Sequence, residues 1–288
     1  MKFALISLGC SKNLVDSENF IGILVNKRGF EVTSELGEAD IIIVNTCGFI
    51  GDAKKESIET ILEVSDLKIN GNLKKIIVTG CLAQRYAGEI LKELPEVDAV
   101  IGTGEIDKIE KVVEEVLADK RVVESTKMDF LADSETDRVL TTASHTAYLK
   151  IAEGCDRKCT YCIIPQLRGN LRSRTIEDIL KEANKLVASG VRELNLLAQE
   201  TTEYGIDLYK EKSLARLMKE LVKIDELKWL RTYYMFPDSL TDELIDVMKT
   251  EEKICKYFDI PVQHISDNIL QQMGRAKSGN ILREYLIE

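Results

Sequence analysis

Three cysteines lie close together in the second half of the chain. Cys155, Cys159 and Cys162 form the pattern Cys-x3-Cys-x2-Cys within GCDRKCTYC, directly after a predicted strand. A loop this short can wrap one 4Fe-4S cubane, and three thiolate ligands leave one of its irons without a protein ligand. A catalytic cluster needs such an open iron to bind its substrate. The spacing therefore predicts a catalytic 4Fe-4S cluster.

The open iron suits S-adenosylmethionine, whose amino and carboxylate groups can chelate a metal. An electron passed from the reduced cluster into the sulfonium would break a carbon-sulfur bond and release a 5'-deoxyadenosyl radical. The alternative is a zinc site, which takes four N or S ligands. The two histidines, His145 and His264, lie outside the motif. Zinc would therefore need a distant fourth ligand, and the spacing favours the cubane.

A second set of three cysteines is spread over the first half of the chain. Cys10, Cys47 and Cys81 each follow the last residues of a predicted strand, in LISLGC, IIVNTC and IVTGC. The carboxyl ends of parallel strands meet at one edge of a sheet, where ligands of α/β folds usually bind. We therefore expect the three thiols to face one another and to hold a second 4Fe-4S cluster with an open iron.

A glycine neighbours each of these cysteines, at Gly9, Gly48 and Gly80. Because glycine has no Cβ, we expect these positions to let the backbone approach a bulky inorganic ligand closely. The alternative is that each cysteine is a small buried apolar residue at a strand end, which is common for free cysteine. Equivalent positions after three successive strands favour the cluster.

Composition indicates a globular protein of the cytoplasm. The chain has 288 residues, and its 44% hydrophobic content is normal for a protein with a buried core. Its 39 basic and 49 acidic residues give a formal charge of -10, which disfavours direct nucleic-acid binding. No run reaches the roughly 18 apolar residues of a membrane span, and a signal peptide is not predicted. In a reducing compartment, clustered cysteines favour metal ligation over disulfides.

The first half alternates short apolar runs with amphipathic stretches, which is typical of a βαβαβ order. Strands are predicted in KFALISLG, DIIIVNT and KKIIVTG, with a helix from about Ser17 after the first. We therefore expect an α/β fold in which a parallel-sheet domain occupies residues 1–120. The polar residues 121–146 predict a linker with room for one strand.

Residues 147–288 repeat the strand-helix order. Strands are predicted in AYLKIAEG, VRELNLLAQ, WLRTYYM and YFDIPVQ. This order predicts the opening half of a (β/α) barrel, with its active site at the carboxyl ends of the strands. Four parallel strands would leave a long unpaired edge. We therefore expect an incomplete barrel and a fragment of a longer chain.

Polar residues near these strand ends are candidates for cofactor binding. Gln199 and Glu200 end the second predicted strand, where a carboxylate suits the ammonium group of S-adenosylmethionine. Arg172 and Arg174 follow the cysteine loop and could pair with a carboxylate of the cofactor or of the substrate. Gln263 ends the fourth predicted strand and could contact the ribose. Solvated turns and ordinary packing are the alternatives for each.

The motifs together resemble a known family. They are GCSKNLVDSE, NTCGFIGDAKKES, VTGCLAQRY, AYLKIAEGCDRKCTYCIIPQLRGNLRSR, AQETTEYGIDLY and DIPVQHISDNILQQMGR. From its first residues to about Arg275, the sequence resembles the radical S-adenosylmethionine methylthiotransferases of the RimO type. The resemblance implies an auxiliary 4Fe-4S cluster on the first cysteine triplet and the radical-generating cluster on the second. It also implies an external reductant, and a methylthio group added to an aspartate β-carbon in the twelfth protein of the small ribosomal subunit.

Two other functions stay open. Related enzymes that modify transfer-RNA adenosine typically read GCQMN where this chain has GCSKN, so the resemblance favours the ribosomal protein as substrate. Glu200 stands where the ribosomal-protein branch usually has aspartate. An alternative of another class is a non-catalytic iron-sulfur or zinc-binding protein. The family also has a C-terminal β-rich module, which this sequence is expected to lack.

Overall fold

The computed structural model describes residues 1–126 and 128–275 and divides the chain into two compact units. Unit 1 is Met1–Thr141 and unit 2 is Thr142–Glu288. Within the described residues, no helix is long and apolar enough to cross a bilayer. The predicted α/β class, with a parallel sheet in the first half and strand-helix repeats in the second, is confirmed.

Unit 1 is built on a six-stranded sheet in the order β2-β1-β3-β4-β5-β6, and every pair of neighbouring strands is parallel. The three predicted strands are its centre, and three short strands extend it on both sides. The strands are β1 (Lys2–Ser7), β2 (Glu31–Val32), β3 (Ile41–Thr46), β4 (Lys75–Gly80), β5 (Ala99–Ile101) and β6 (Val122–Glu124). The helices are α1 (Ser11–Arg28), α2 (Gly51–Asn70), α3 (Cys81–Glu93) and α4 (Ile109–Leu117).

Helices cover both faces of this sheet, which explains why its central strands are continuously apolar. Successive strand residues point to opposite faces. Ile41 and Ile43 pack into one core with residues of α1 and α4, whereas Ile42 and Val44 pack into the other with residues of α2 and α3. All six residues of β3 are buried. The strand ends, and the cysteines that follow them, are thus held by a sheet packed on both sides.

Helix α1 begins earlier than the sequence predicts. The amphipathic pattern indicates a start near Ser17, but the helix begins at Ser11, and Cys10 is its N-cap. The first helical turns are buried although they carry polar residues such as Asn13, Asp16 and Glu18. A periodicity argument places polar residues outside, so it misses a helix whose polar side chains have buried partners.

Most of the segment that the sequence predicts to be a linker, as far as Thr141, belongs to unit 1. Strand β6 pairs with β5, and the residues after it cross α1. Glu18, which is fully buried, accepts hydrogen bonds from Arg138 (Nη2 to Oε2, 2.7 Å) and from the backbone N–H of Thr141 (2.7 Å). Gly22 allows this crossing because a Cβ there would lie 2.6 Å from Arg138 Cα.

Unit 2 contains a three-stranded parallel sheet in the order β11-β10-β7. The three strands of this sheet follow the order in which they occur along the chain. That is the start of a (β/α) barrel. A short antiparallel pair, β8 with β9, flanks the cysteine loop. The strands are β7 (Thr146–Lys150), β8 (Ala152–Glu153), β9 (Arg172–Ser173), β10 (Glu193–Leu197) and β11 (Trp229–Thr232). The helices are α5 (Ile164–Arg168), α6 (Ile176–Ala188), α7 (Ile206–Tyr209), α8 (Leu214–Leu221), α9 (Asp242–Thr250) and α10 (Asp267–Gln272).

The fourth predicted strand, YFDIPVQ, is wrong, because residues 257–263 form no strand. A single parallel bridge joins Leu230 to Ile254 before this segment. Further along, Asp259 contacts the residues after β11 through its side chain and its backbone, since Oδ2 accepts from the backbone N–H of Tyr234 (2.9 Å) and its carbonyl accepts from that of Met235 (2.9 Å). Pro261 has no N–H to donate. The segment therefore follows β11 without a regular ladder.

Candidate iron-sulfur sites

The first three cysteines lie at the carboxyl ends of three adjacent strands. In the sheet order, β3 stands between β1 and β4, with Ser7 opposite Asn45 and Thr46 opposite Gly80. Cys10 follows β1 after a two-residue turn, Cys47 follows β3 directly, and Cys81 follows β4 directly. Parallel pairing thus brings the three cysteine loops to the same edge of one sheet, as the spacing predicts.

The glycines beside these cysteines let the loops approach one another. A Cβ on Gly9 would lie 2.8 Å from the Cβ of Cys47 and 3.1 Å from its Sγ. A Cβ on Gly48 would lie 2.8 Å from the backbone N of Leu82 and 2.9 Å from the carbonyl C of Cys81. Gly9 and Gly48 thus allow the cysteine loops to contact one another. The sequence instead predicts that these glycines let the backbone approach a bound ligand.

Two helix N-termini point at this edge. Cys10 is the N-cap of α1, and Cys81 is the first residue of α3. The first N–H groups of a helix have no intrahelical acceptor, and their dipoles favour negative charge. Such helix ends are suited to binding an anionic group. This feature escapes the sequence prediction because α1 is placed too late there.

The second triplet lies in a loop between β8 and α5. The Cys155 backbone N–H donates to the Gly169 carbonyl (3.1 Å), and the Cys162 N–H donates to the Cys159 carbonyl (3.1 Å). Gly154, with φ of 79°, begins the loop, and a Cβ there would meet the backbone on the far side of the loop. The loop is therefore closed on itself by backbone bonds and one left-handed glycine.

Burial raises the pKa of Cys155 to about 11, and the Glu200 carboxylate acts in the same direction. Burial also raises the pKa of Cys162. Desolvation disfavours a bare thiolate in this loop. A cationic group that binds thiolate reverses that preference, because a coordinating thiol loses its proton to the metal. A bound metal centre would therefore supply the positive charge that these buried thiolates lack.

Arg157, between the first two ligands of this motif, ties the loop to the rest of unit 2. Its guanidinium pairs with Glu200 (Nε to Oε2, 2.9 Å), Glu203 (Nη2 to Oε1, 3.0 Å) and Asp238 (Nη1 to Oδ2, 3.2 Å). It also lies over the Phe236 ring, 4.0 Å from the centroid. Its place in the cysteine motif marks it, but the carboxylates come from distant segments, so the sequence did not reveal it as a site residue.

A cavity of about 330 Å³ opens beside this loop and is lined by Cys155, Arg157, Glu200 and Glu203, among others. Burial raises the pKa of Glu200 to about 7, although Arg157 acts against the shift. Arg157 faces the carboxylates of Glu200, Glu203 and Asp238, and Lys212 Nζ lies 3.6 Å from Glu203, so two cations meet three carboxylates and the net charge here is negative only when all three are ionised. A cationic ligand such as a sulfonium or an ammonium fits that charge.

Gln199 has a buried polar atom without a partner, which is a second feature expected of a residue that contacts a ligand. Its Nε2 donates to the buried carboxylate of Glu153, which also pairs with Lys150 (2.9 Å) and Arg168 (3.3 Å). Its Oε1 is buried and has no hydrogen-bond partner within the described part of the chain. A buried acceptor of this kind can receive an N–H or O–H from a bound molecule.

The other candidate residues are placed differently. Arg174 is buried and pairs with Asp178 (2.7 Å) and Glu182 (2.5 Å), both on α6. Arg172 donates to backbone carbonyls of the cysteine loop's far end, at 3.3 and 3.4 Å. Gln263 is exposed, with φ of 64°. Within the described residues, Arg172 Nε and Arg174 Nη2 are also buried without a hydrogen-bond partner, whereas Gln263 stands in solvent.

The ligands of a single metal ion are arranged differently from those of an iron-sulfur cluster. Within residues 1–126 and 128–275, no three Cys, His, Asp or Glu side chains converge on one point as the ligands of a single ion would. A cubane places each thiolate on a different iron, so its ligands stand around a cluster.

Comparison with known proteins shows what this chain is similar to. Residues 2–102 match the sequence profile described as uncharacterized protein family UPF0004, and residues 149–283 match that of the radical SAM superfamily. The ribosomal protein uS12 methylthiotransferase RimO of Clostridioides difficile is 54% identical over 275 residues, and that of Lachnoclostridium phytofermentans is 55% identical over 282. The chain is thus similar in sequence to radical S-adenosylmethionine methylthiotransferases. The resemblance predicted from the motifs is confirmed.

These matches cover 96% and 98% of this chain but 62% and 64% of the two relatives. The chain thus spans a little under two thirds of the length of the curated relatives it matches.

Solved structures share the fold. The radical S-adenosylmethionine methyltransferase TsrM of Kitasatospora setae has a TM-score of 0.63 at 12% identity, covering 98% of this chain and 65% of that one. The cobalamin-dependent radical enzyme OxsB has a TM-score of 0.58 at 13% identity, covering 97% of this chain and 46% of that one. At such identities the likeness concerns architecture alone.

Proposed function

We propose that this chain carries two parts of a methylthiotransferase that adds a methylthio group to the β-carbon of an aspartate in ribosomal protein uS12. Unit 1, which includes the predicted linker as far as Thr141, would hold the auxiliary 4Fe-4S cluster, and unit 2 would belong to the radical core. The reaction would take place in the cytoplasm with an external reductant. The observation that carries the proposal is the pair of cysteine triplets, each at strand ends, in a chain 54% and 55% identical to enzymes with that name.

In this proposal Cys10, Cys47 and Cys81 hold the auxiliary cluster. Three thiols at one sheet edge, next to two helix N-termini, suit an anionic cluster with an iron open to a sulfur species. The sheet keeps them in place because β1, β3 and β4 are packed on both faces.

Cys155, Cys159 and Cys162 would hold the second cluster, which when bound supplies the electron that cleaves S-adenosylmethionine to a radical. The residues around it orient the cofactor. Glu200 and the unpartnered Oε1 of Gln199 are suited to accept hydrogen bonds from its ammonium group. Arg172, Arg174 and Gln263 stay candidates for contacts with cofactor or substrate, of which Arg174 is the most firmly held by protein carboxylates.

The substrate assignment rests on the relatives and on charge. The two relatives named above act, by name, on ribosomal protein uS12. The formal charge of -10 disfavours direct contact with a phosphate backbone and suits a basic protein partner. Transfer RNA is therefore the second candidate, and it is distinguished by the product.

The test is anaerobic reconstitution with iron and sulfide, followed by dithionite, S-adenosylmethionine and a choice of uS12 or transfer RNA. We expect 5'-deoxyadenosine from the parent chain and none from Cys155→Ala. Cys255→Ala is the matched control, because Cys255 belongs to neither triplet. The second readout is mass spectrometry of both substrates for one added methylthio group.

A methylthio group on the uS12 aspartate, lost with Cys10→Ala, supports the proposal. If transfer RNA is modified instead, its adenosine is the substrate and the proposal for uS12 is wrong. A parent chain that binds iron yet releases no 5'-deoxyadenosine would support a non-catalytic iron-sulfur protein.

A further inference from the structure

One buried amide reaches all three loops of the auxiliary site. Asn13 is fully buried in α1, one turn after Cys10. Its Nδ2 donates to the Leu8 carbonyl (3.0 Å) in the first loop and to the Thr46 carbonyl (3.0 Å) directly before Cys47. Its Oδ1 accepts from the Cys81 thiol in the third loop, with S and O 3.9 Å apart.

The two carbonyls fix which way the amide faces. Only the NH₂ end of an asparagine can donate, and both of its protons are used by the carbonyls of Leu8 and Thr46. Turning the amide over would set Oδ1 against two carbonyl oxygens. Oδ1 is therefore directed at Cys81.

Asn13 is itself anchored through its backbone. Its carbonyl accepts from Asn45 Nδ2 (2.8 Å), and the same Nδ2 donates to Ser17 Oγ (2.9 Å). Ser17 Oγ in turn donates to Ser7 Oγ (2.9 Å) at the end of β1. The first turns of α1 are thus locked to the ends of β1 and β3, which places the amide at a fixed point between the cysteine loops.

We infer that Asn13 is the positioning residue of the auxiliary site, holding the loops of Cys10, Cys47 and Cys81 at the separation that the cluster requires. The inference rests on the proposed function, because it assigns that cluster to these cysteines. Ligands must be held to within about 0.5 Å by supporting groups if a site is to bind its metal centre well. Asn13 ties the first two segments together through its bonds to the Leu8 and Thr46 carbonyls, and those bonds remain when Cys81 loses its proton to iron.

The decisive substitution is Asn13→Asp. It keeps the size of the side chain but removes both donors and sets a carboxylate against two carbonyls. Asn19→Ala is the matched control, since Asn19 is also buried in α1 but its Nδ2 has no hydrogen-bond partner among residues 1–126 and 128–275. Both are made in a chain with Cys155, Cys159 and Cys162 changed to Ala, so that any remaining cluster is the auxiliary one.

In that chain we expect about four irons and one reduced-cluster EPR signal, which Asn19→Ala retains. Asn13→Asp should lower the iron to below about one per chain and abolish the signal. Thermal unfolding of both variants measures general destabilisation, which alone would leave the EPR signal of the folded fraction unchanged. Full iron with the parent's EPR signal in Asn13→Asp would overturn the inference.

A second experiment, the alkylation of cysteines in the metal-free protein, tests the role of Asn13 independently of the cluster assignment. Cys81 is 7% exposed and bonded to Asn13, so alkylation should modify it more slowly than Cys10 or Cys47. Asn13→Ala, which removes the acceptor Oδ1 as well as both donors, should raise the Cys81 rate on the order of tenfold, and Asn19→Ala should not. A parent chain without iron would refute the cluster assignment alone, whereas an unchanged Cys81 rate would refute the role of Asn13.

Discussion

Replacing Gly48 by alanine tests whether the first three cysteines depend on direct contact between their loops. The new Cβ would lie 2.8 Å from Leu82 N and 2.9 Å from the carbonyl C and O of Cys81. Ordinary contact begins at 3.4 Å, so the loops of Cys47 and Cys81 must separate by about 0.6 Å (3.4 minus 2.8). All three clashing atoms are backbone, so no side chain can rotate out of the way.

Overpacking of this kind costs about 1–3 kcal/mol, which corresponds to a fall in Tm of roughly 3–10 °C for a unit of this size. The separation also exceeds the roughly 0.5 Å that a metal-binding site tolerates. We therefore expect Gly48→Ala to lose the auxiliary cluster, so that iron falls from about eight to about four per chain after anaerobic reconstitution.

Gly88→Ala is the control for this prediction. Gly88 lies in α3, and a Cβ there meets nothing within 4 Å. Alanine should stabilise the helix by about 0.5–1 kcal/mol and leave the iron content unchanged. A Gly48→Ala protein with the parent's iron content and Tm would show that the loops do not touch as described.

Two further substitutions test unit 1 away from the cysteines. Gly22→Ala should lower the free energy of unfolding by about 1–3 kcal/mol in denaturant titrations, because its Cβ would lie 2.6 Å from Arg138 Cα; an unchanged midpoint would contradict the observed crossing of α1. Hydrogen bonds from Lys108 and Lys111 lower the pKa of Glu124 below its usual 4.5, so this carboxylate stabilises the fold above pH 4.5 and the contribution is lost as the pH falls further. Glu124→Gln should therefore cost about 1 kcal/mol at pH 7 and progressively less at acid pH, whereas a constant difference across the range would refute the ion pairs.

Much of the fold follows from patterns that operate locally. The apolar run of β3 predicts a strand covered on both faces, and the structure buries every one of its residues. The placement of Cys10, Cys47 and Cys81 after parallel strands is predicted for the same reason, since strand order alone brings them to one edge. Such inferences need no knowledge of side-chain partners.

The remainder depends on partners distant in the sequence. Asn13 precedes the helix that the sequence predicts from about Ser17, and Glu18 lies at its start. Only the folded chain supplies the carbonyls, Arg138 and Thr141 that satisfy these buried side chains. The fourth predicted strand fails for a similar reason, because residues 257–263 contact the chain after β11 partly through the Asp259 side chain, and Pro261 has no N–H to donate.

The central claim is that the two cysteine triplets hold two separate clusters. The direct measurement is the iron and sulfide content, with Mössbauer spectra, of the anaerobically reconstituted parent and of two variants, each with one whole triplet changed to alanine. We predict about eight irons in the parent and about four in each variant, all in cubane form. About four irons in the parent, lost with one triplet and unaffected by the other, would contradict the account.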